Sequence, residues 1–203
     1  MQRDLILLSF LSGKDFFMVK KIVLALVLVG LAVGERVWWD LGPNIEWVTL
    51  ALVVASVYLK GWWATGVVLV AMAVSDRWLG NTSIAWFTWS GFAIPAVVGG
   101  RWLKWGKSGL RRVIRGTGLG LGANLFFYLW TNFGVWLLDS WNMYPDDLSG
   151  LMMSYVGGLP FLKLQLFSTL LFVPAGLVVM EVGRVMKEAF RRDKKGVFNV
   201  LRV

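Results

Sequence analysis

The chain is 203 residues long, 57% hydrophobic and only 16% charged, with a formal net charge of +9 and a mean hydropathy of +0.64. A water-soluble domain is about half apolar and about a quarter charged, so the composition excludes that class and predicts an all-α, polytopic membrane helix bundle of one domain. The complete lack of Cys and His excludes thiol nucleophiles, disulfides, Cys/His metal sites and imidazole proton relays together.

Residues 1–18 read as a weakly amphipathic leader, with Met18 a candidate alternative start ahead of VKKIVLALVLVGLAVG. Lys20 and Lys21 before an apolar run ending Ala32-Val33-Gly34 also mimic a secretory signal. The spans downstream and the polar Glu35-Arg36 pair favour an uncleaved first span. Six membrane spans are expected at 19–39, 45–59, 62–74, 84–103, 116–138 and 161–185, in one domain covering 19–187 and followed by a basic cytoplasmic tail, 188–203. The second and third spans are short and need interfacial Trp and Lys flanks or local bilayer thinning, with Lys60-Gly61-Trp62-Trp63 as the turn between them. Ten-residue alternation of the kind that marks barrel strands is absent.

Charge location supports this count. With the N-terminus inside, all of the 21 basic residues except Arg36, Arg77 and Lys163 fall on the cytoplasmic side, whereas Glu35, Asp40, Glu46, Asp76, Asp139, Asp146 and Asp147 fall outside. The +9 charge is therefore read as membrane orientation, both termini cytoplasmic in an inner membrane, and not as a nucleic-acid footprint. Small residues at i, i+4 spacing, Gly30/Gly34, Ala51/Ala55, Gly116/Gly120 and Gly118/Gly122, predict close helix packing. Of the 13 Trp, those at 38, 39, 47, 62, 63, 78, 102, 105 and 141 are expected in the interfacial belt.

Every charge is expected at or beyond a span end, which argues against a transporter coupled through intramembrane carboxylates. Uncharged polar residues carry the functional expectation instead. On the fifth span Asn124, Tyr128, Asn132 and Trp136 recur every four residues with Thr131 beside them; on the sixth Gln165, Ser168 and Thr169 share a face; on the fourth Trp86, Trp89 and Ser90 do. Thr131 to Trp136, Gln165 to Thr169 and Trp86 to Ser90 are assigned to the outer halves of their spans, and the set either lines a small-ligand pocket or staples the helices by hydrogen bonds. After the fifth span, Asn142-Met143-Tyr144-Pro145-Asp146-Asp147 predicts a turn into a short interfacial helix, 148–156, capped by Asp146 or Asp147 and ended by Gly157-Gly158, with Pro160 opening the last span. Leu148, Leu151, Met152 and Tyr155 share a face that would let this piece cover the pocket, as a lid or as an inert interfacial helix.

Thr131-Asn132-Phe133-Gly134-Val135-Trp136, Tyr144-Pro145, Gly150-Leu151, Tyr155 and Pro160-Phe161, with Arg36, Pro43-Asn44, Ser75-Asp76 and Leu79-Gly80 upstream, resemble the signature of a bacterial six-helix family of unknown function classed with transport proteins. That family in turn resembles the S components of energy-coupling-factor vitamin transporters. The likeness implies an outward-facing ligand site formed by helices four to six, Tyr144 included, and a first helix that meets a transmembrane coupling protein driven by ATPase subunits. Leu164-Gln165 and Ser168-Thr169 stand where the family usually has an Asn-Thr and a Gly-Asp pair, which leaves ligand identity open. The expectation is a binding subunit for a vitamin-like or other micronutrient, with no catalytic residues, metal or cofactor, partnered by the bilayer, the ligand and the coupling subunits. A structural scaffold without a ligand is the alternative; a P-loop of its own is lacking, so any ATP-driven step needs a partner.

Overall fold

The computed structural model describes residues 13–39, 47–80, 83–139 and 142–200. The first part of the leader and the predicted belt residue Trp141 lie outside the described residues. Among the described residues six helices follow one another: α1 (Gly13–Gly34, continued by a π-helical turn Glu35–Trp39), α2 (Trp47–Val54, continued by Ala55–Leu59), α3 (Trp62–Leu79), α4 (Ala85–Val97, continued by Val98–Trp102), α5 (Gly109–Leu138) and α6 (Leu148–Val200). Among the described residues there is no strand. Three stretches, Asp15–Trp39, Gly109–Leu138 and Leu148–Phe190, are long and apolar enough to cross a membrane, and Trp47–Leu59 is a shorter apolar helix.

An amphipathic helix buries one stripe, whereas a helix apolar all round must be surrounded. α2 is of the second kind: Val48, Ala51, Leu52, Val53, Val54, Ala55 and Val57 are all buried, and α1, α3, α5 and α6 pack around it. Its turn into α3 is made by Lys60 and Gly61 at φ 62° and 58°, and the Gly61 N–H donates to the Gly100 carbonyl at 2.6 Å, tying the start of α3 to the end of α4. Arg112 near the start of α5 reaches Glu181 far along α6. Lys20 and Lys21 of α1 share a cavity with Tyr58 and Leu59 at the end of α2 and Lys187 of α6. These contacts gather the basic segments at one end of an up-and-down bundle.

The long α6 departs from expectation. Among the described residues no separate interfacial helix exists: 148–156 is the first part of one helix that passes through Gly157, Gly158 and Pro160 and continues to Val200, so the predicted tail is helical as far as Val200. Neither glycine takes the positive φ that ends helices. The physical reason lies in the buried seam. Gly150, Ser154, Gly158, Gln165, Thr169, Val173, Leu177 and Glu181 form one buried stripe, mostly at four-residue steps. It faces the stripe Arg112, Gly116, Gly120, Asn124, Tyr128 and Thr131 of α5. A Cβ on Gly116 would lie 2.5 Å from Leu177, one on Gly120 2.9 Å from Thr169, and one on Gly158 2.5 Å from Asn132. Gly158 thus serves close approach between two helices and not helix termination. Burial along that seam outweighs the hydrogen bond Pro160 removes from the turn before it.

Small-residue packing is selective. Gly116, Gly120, Ala51 and Ala55 are buried, but Gly30, Gly118 and Gly122 face open space within 4 Å, so the predicted 118/122 pair packs no helix. The interfacial Trp expectation needs one correction: Trp38, Trp62, Trp78 and Trp102 are exposed, whereas Trp105 is buried at 4% with its Nε1 donating to the Gly99 carbonyl at 3.1 Å.

Candidate functional site

Asn124, buried in the middle of α5, is the hub of the predicted polar face. Its Oδ1 accepts from Thr49 Oγ1 of α2 at 2.9 Å, and its Nδ2 donates to the Gln165 carbonyl at 3.0 Å and to Thr169 Oγ1 at 2.5 Å. Three helices are joined at one amide. Thr49 was missed although it is one of only two hydroxyl residues in the apolar run 47–57, a signal available to anyone asking why a buried helix carries it.

Further along α5, Tyr128 Oη donates to the Tyr155 carbonyl at 2.7 Å, and Ser154 Oγ donates to the Asn132 carbonyl at 3.0 Å. The Asn132 amide itself bonds back to the Tyr128 carbonyl at 2.8 Å, and Thr131 Oγ1 likewise to Phe127. Trp136 Nε1 donates to the Pro145 carbonyl at 3.0 Å, closing the loop onto α5. Tyr144 presents its Oη to Gly157, where a Cβ would come within 3.2 Å. Gln165 and Ser168 are 3% and 2% exposed. The Gln165 side-chain nitrogen is sealed in the interior with no hydrogen-bond partner, a costly arrangement for an amide.

α4 does not join this group. Trp86 is 82% exposed. Trp89 Nε1 donates to Asp76 Oδ2 at 2.6 Å, and Asp76 Oδ1 accepts from Arg36 Nη2 at 3.1 Å, so Trp89 belongs to a cluster with α1 and α3. Ser90 Oγ accepts from Trp130 Nε1 at 2.8 Å while bonding back to the Trp86 carbonyl. Since α4 packs on α3 and α5 while α6 packs on α5 and α2, the predicted three-helix convergence is instead one of α2, α5 and α6. Leu148 and Met152, two residues of the expected lid face, are exposed at 74% and 56%.

The opposite end of the seam holds what sequence reading left out. Glu181, 9% exposed, receives Arg112 Nε at 2.5 Å and Nη2 at 2.7 Å, Tyr58 Oη at 2.6 Å and Arg184 Nε at 3.2 Å. Arg112 Nη1 also donates to the Gly106 and Lys107 carbonyls at 3.0 and 2.8 Å. What the sequence reading does not foresee is burial: one carboxylate is enclosed and met by a bidentate guanidinium and a phenol. Among the described residues no group of three Asp or Glu forms that could hold a metal ion.

The sequence-family model described as "Family of unknown function (DUF6580)" matches residues 17–190. The chain belongs to the DUF6580 family. No curated protein and no solved structure matches it. The DUF6580 match spans Asn124, Asn132, Gln165 and the Arg112–Glu181 pair alike, together with Arg36 and Asp76, which the structure joins as an ion pair. It also spans the cap of α6. Asp147, not Asp146, fills that role: its Oδ1 accepts from the Gly150 N–H at 2.9 Å and from Ser149 Oγ at 2.6 Å, and these two donors hold its carboxyl below the ordinary Asp range.

Proposed function

We propose that this DUF6580 protein is the substrate-binding membrane subunit of a small-molecule transporter, with six spans, both termini cytoplasmic, and its ligand site between α5, α6 and the loop joining them. Bilayer insertion is supported by an exterior rich in exposed apolar side chains, such as Leu26, Phe167, Leu170 and Val179, each more than half exposed, since water-soluble monomers rarely show such extensive patches. The ligand reading rests on one observation above all: the Gln165 amide nitrogen, buried and without a partner, lies one helical turn from Ser168 and Thr169. A vitamin-like or other micronutrient carrying a carbonyl or carboxylate would supply the missing acceptor. The resemblance of the sequence motifs to those of S components of energy-coupling-factor transporters would add a transmembrane coupling protein and ATPase subunits as partners.

A scaffold role is the second reading, favoured by the Asn124 hub, whose donors and acceptor are all met within the protein. Purification in detergent followed by mass spectrometry of extracted small molecules separates the two. The transport reading expects a reproducible small molecule in the wild type, lost in Gln165→Met, with that variant folded and melting no lower, because an unpaired buried amide costs about 1–3 kcal/mol. An empty wild-type protein with no co-purifying ATPase subunits would overturn it.

A further inference from the structure

An open groove of about 590 Å³ runs between α4 and α5 and contains none of the residues discussed above as a ligand site. Its walls are apolar: Ile94, Pro95 and Val98 from α4 and its terminal turn, Phe126 from α5, with Gly118 and Gly122 in the same lining. A side chain at either glycine would meet nothing within 4 Å, so these positions keep the groove open and seat no helix. Lys104 and Arg115 are the two charged residues that line it. Arg115 Nη1 donates to the Lys104 carbonyl, pinning the guanidinium beside the lysine; Arg carries five N–H donors, so four remain to bond another acceptor. Among the described residues neither cation pairs with a carboxylate. At 1.5 Å rise per residue, Arg115 and Phe126 stand roughly 16 Å apart along α5. The groove therefore carries two cations toward one end, with an apolar trough extending from them along α5.

We propose that this groove is a site for an anionic phospholipid, its phosphate held between Lys104 and Arg115 and one acyl chain lying along Gly118 and Gly122. Charge complementarity selects that occupant. A transmembrane helix seated there would bury two cations without offering an acceptor, and a zwitterionic lipid would bring its own cation to them. Basic pockets between membrane helices recognise anionic headgroups by this chemistry. The site needs the bilayer part of the function proposed above and is independent of its transport part.

The test uses the full chain in mild detergent with equal amounts of a phosphoglycerol lipid and a phosphocholine lipid of identical acyl chains, read by native mass spectrometry. The wild type is expected to carry the anionic lipid in preference by roughly tenfold, on the order of the attraction two basic residues supply. Lys104→Gln with Arg115→Gln should bring the ratio close to unity, whereas Lys20→Gln with Lys21→Gln should leave it unchanged. Gly122→Leu, which fills the trough with both cations intact, should lower retention of either lipid. A wild type without preference, a preference that survives loss of Lys104 and Arg115, or undiminished retention in Gly122→Leu would each overturn the proposal. So would a dimer, seen by light scattering, that Gly122→Leu dissociates, since a second copy would then occupy the groove.

Discussion

At one end of the α5–α6 seam a carboxylate is clasped by two arginines and a tyrosine; away from it, amides and hydroxyls bond to carbonyls, and the Gln165 nitrogen, midway along at the level of Asn124, bonds to nothing. Both stretches are buried in the same helix pair, yet they solve burial differently. The Arg112–Glu181 end has charge compensation fixed in a bidentate fork, so either partner alone is intolerable there. The stretch from Asn132 to Gln165 has neutral groups that bond to backbone or pack against glycine, so each can be changed singly.

The largest effect expected from this contrast follows loss of one charge. Glu181→Gln should destabilise by about 3–5 kcal/mol, because buried Arg112 loses its counterion, and Arg112→Gln by less, because Arg184 still reaches Glu181. Arg112→Met combined with Glu181→Leu should recover much of that loss. Thermal unfolding in detergent, followed by size-exclusion fluorescence, compares all three. If Glu181→Gln melts like the wild type, the latch is not the fixed end.

A smaller effect comes from the glycines that allow the seam. Gly116→Ala would press against Leu177 at 2.5 Å and Val53 at 3.0 Å, two walls that belong to packed helices, and overpacking of this kind costs about 1–3 kcal/mol. Gly158→Ala meets first the amide of Asn132, the end of a side chain that can turn away. We expect a clear loss of melting temperature for the first and a lesser one for the second. Equal losses would mean that the neutral end is as rigid as the charged one.

Much of the fold was legible in sequence because it follows from local signals. Hydropathy marks where α1 to α6 run, and the Lys60-Gly61 turn announces itself by composition. Gly157-Gly158 and Pro160 misled because glycine pairs and proline speak for termination only when nothing opposes them; a seam reaching from Gly150 to Glu181 does oppose them, and that seam exists only once α5 lies against α6. The site was half legible. Four-residue spacing found Asn124, Tyr128, Asn132 and Trp136, but helix periodicity cannot say which helix stands opposite. Hence Trp89 was assigned to the wrong neighbour, while Thr49 and Tyr58, on α2, were assigned none. Glu181 escaped because a single charge near a span end looks solvated until its partner, 69 residues away, is brought beside it.

The smallest effect concerns the start of α6, where the neutral end meets solvent. Asp147 accepts from Gly150 N–H and Ser149 Oγ, and its carboxyl is held below the usual range by those donors. The sign follows from the depressed value: the stabilisation by the ionised form is complete above the unfolded carboxylate pKa of about 3.9 and is lost as pH falls through the lower folded one. Asp147→Asn keeps the side-chain oxygen that caps the helix and removes only the charge, so the difference in melting temperature between wild type and variant isolates that charge from every other titrating group. The difference should stay level from about pH 8 to pH 5 and shrink below about pH 4, where the carboxyl begins to protonate in the unfolded chain and then, lower still, in the folded one. A difference that shrinks well above pH 5 would mean that the carboxyl is not held in the capping geometry, and that the loop between α5 and α6 is anchored by Trp136 and the Pro145 carbonyl instead.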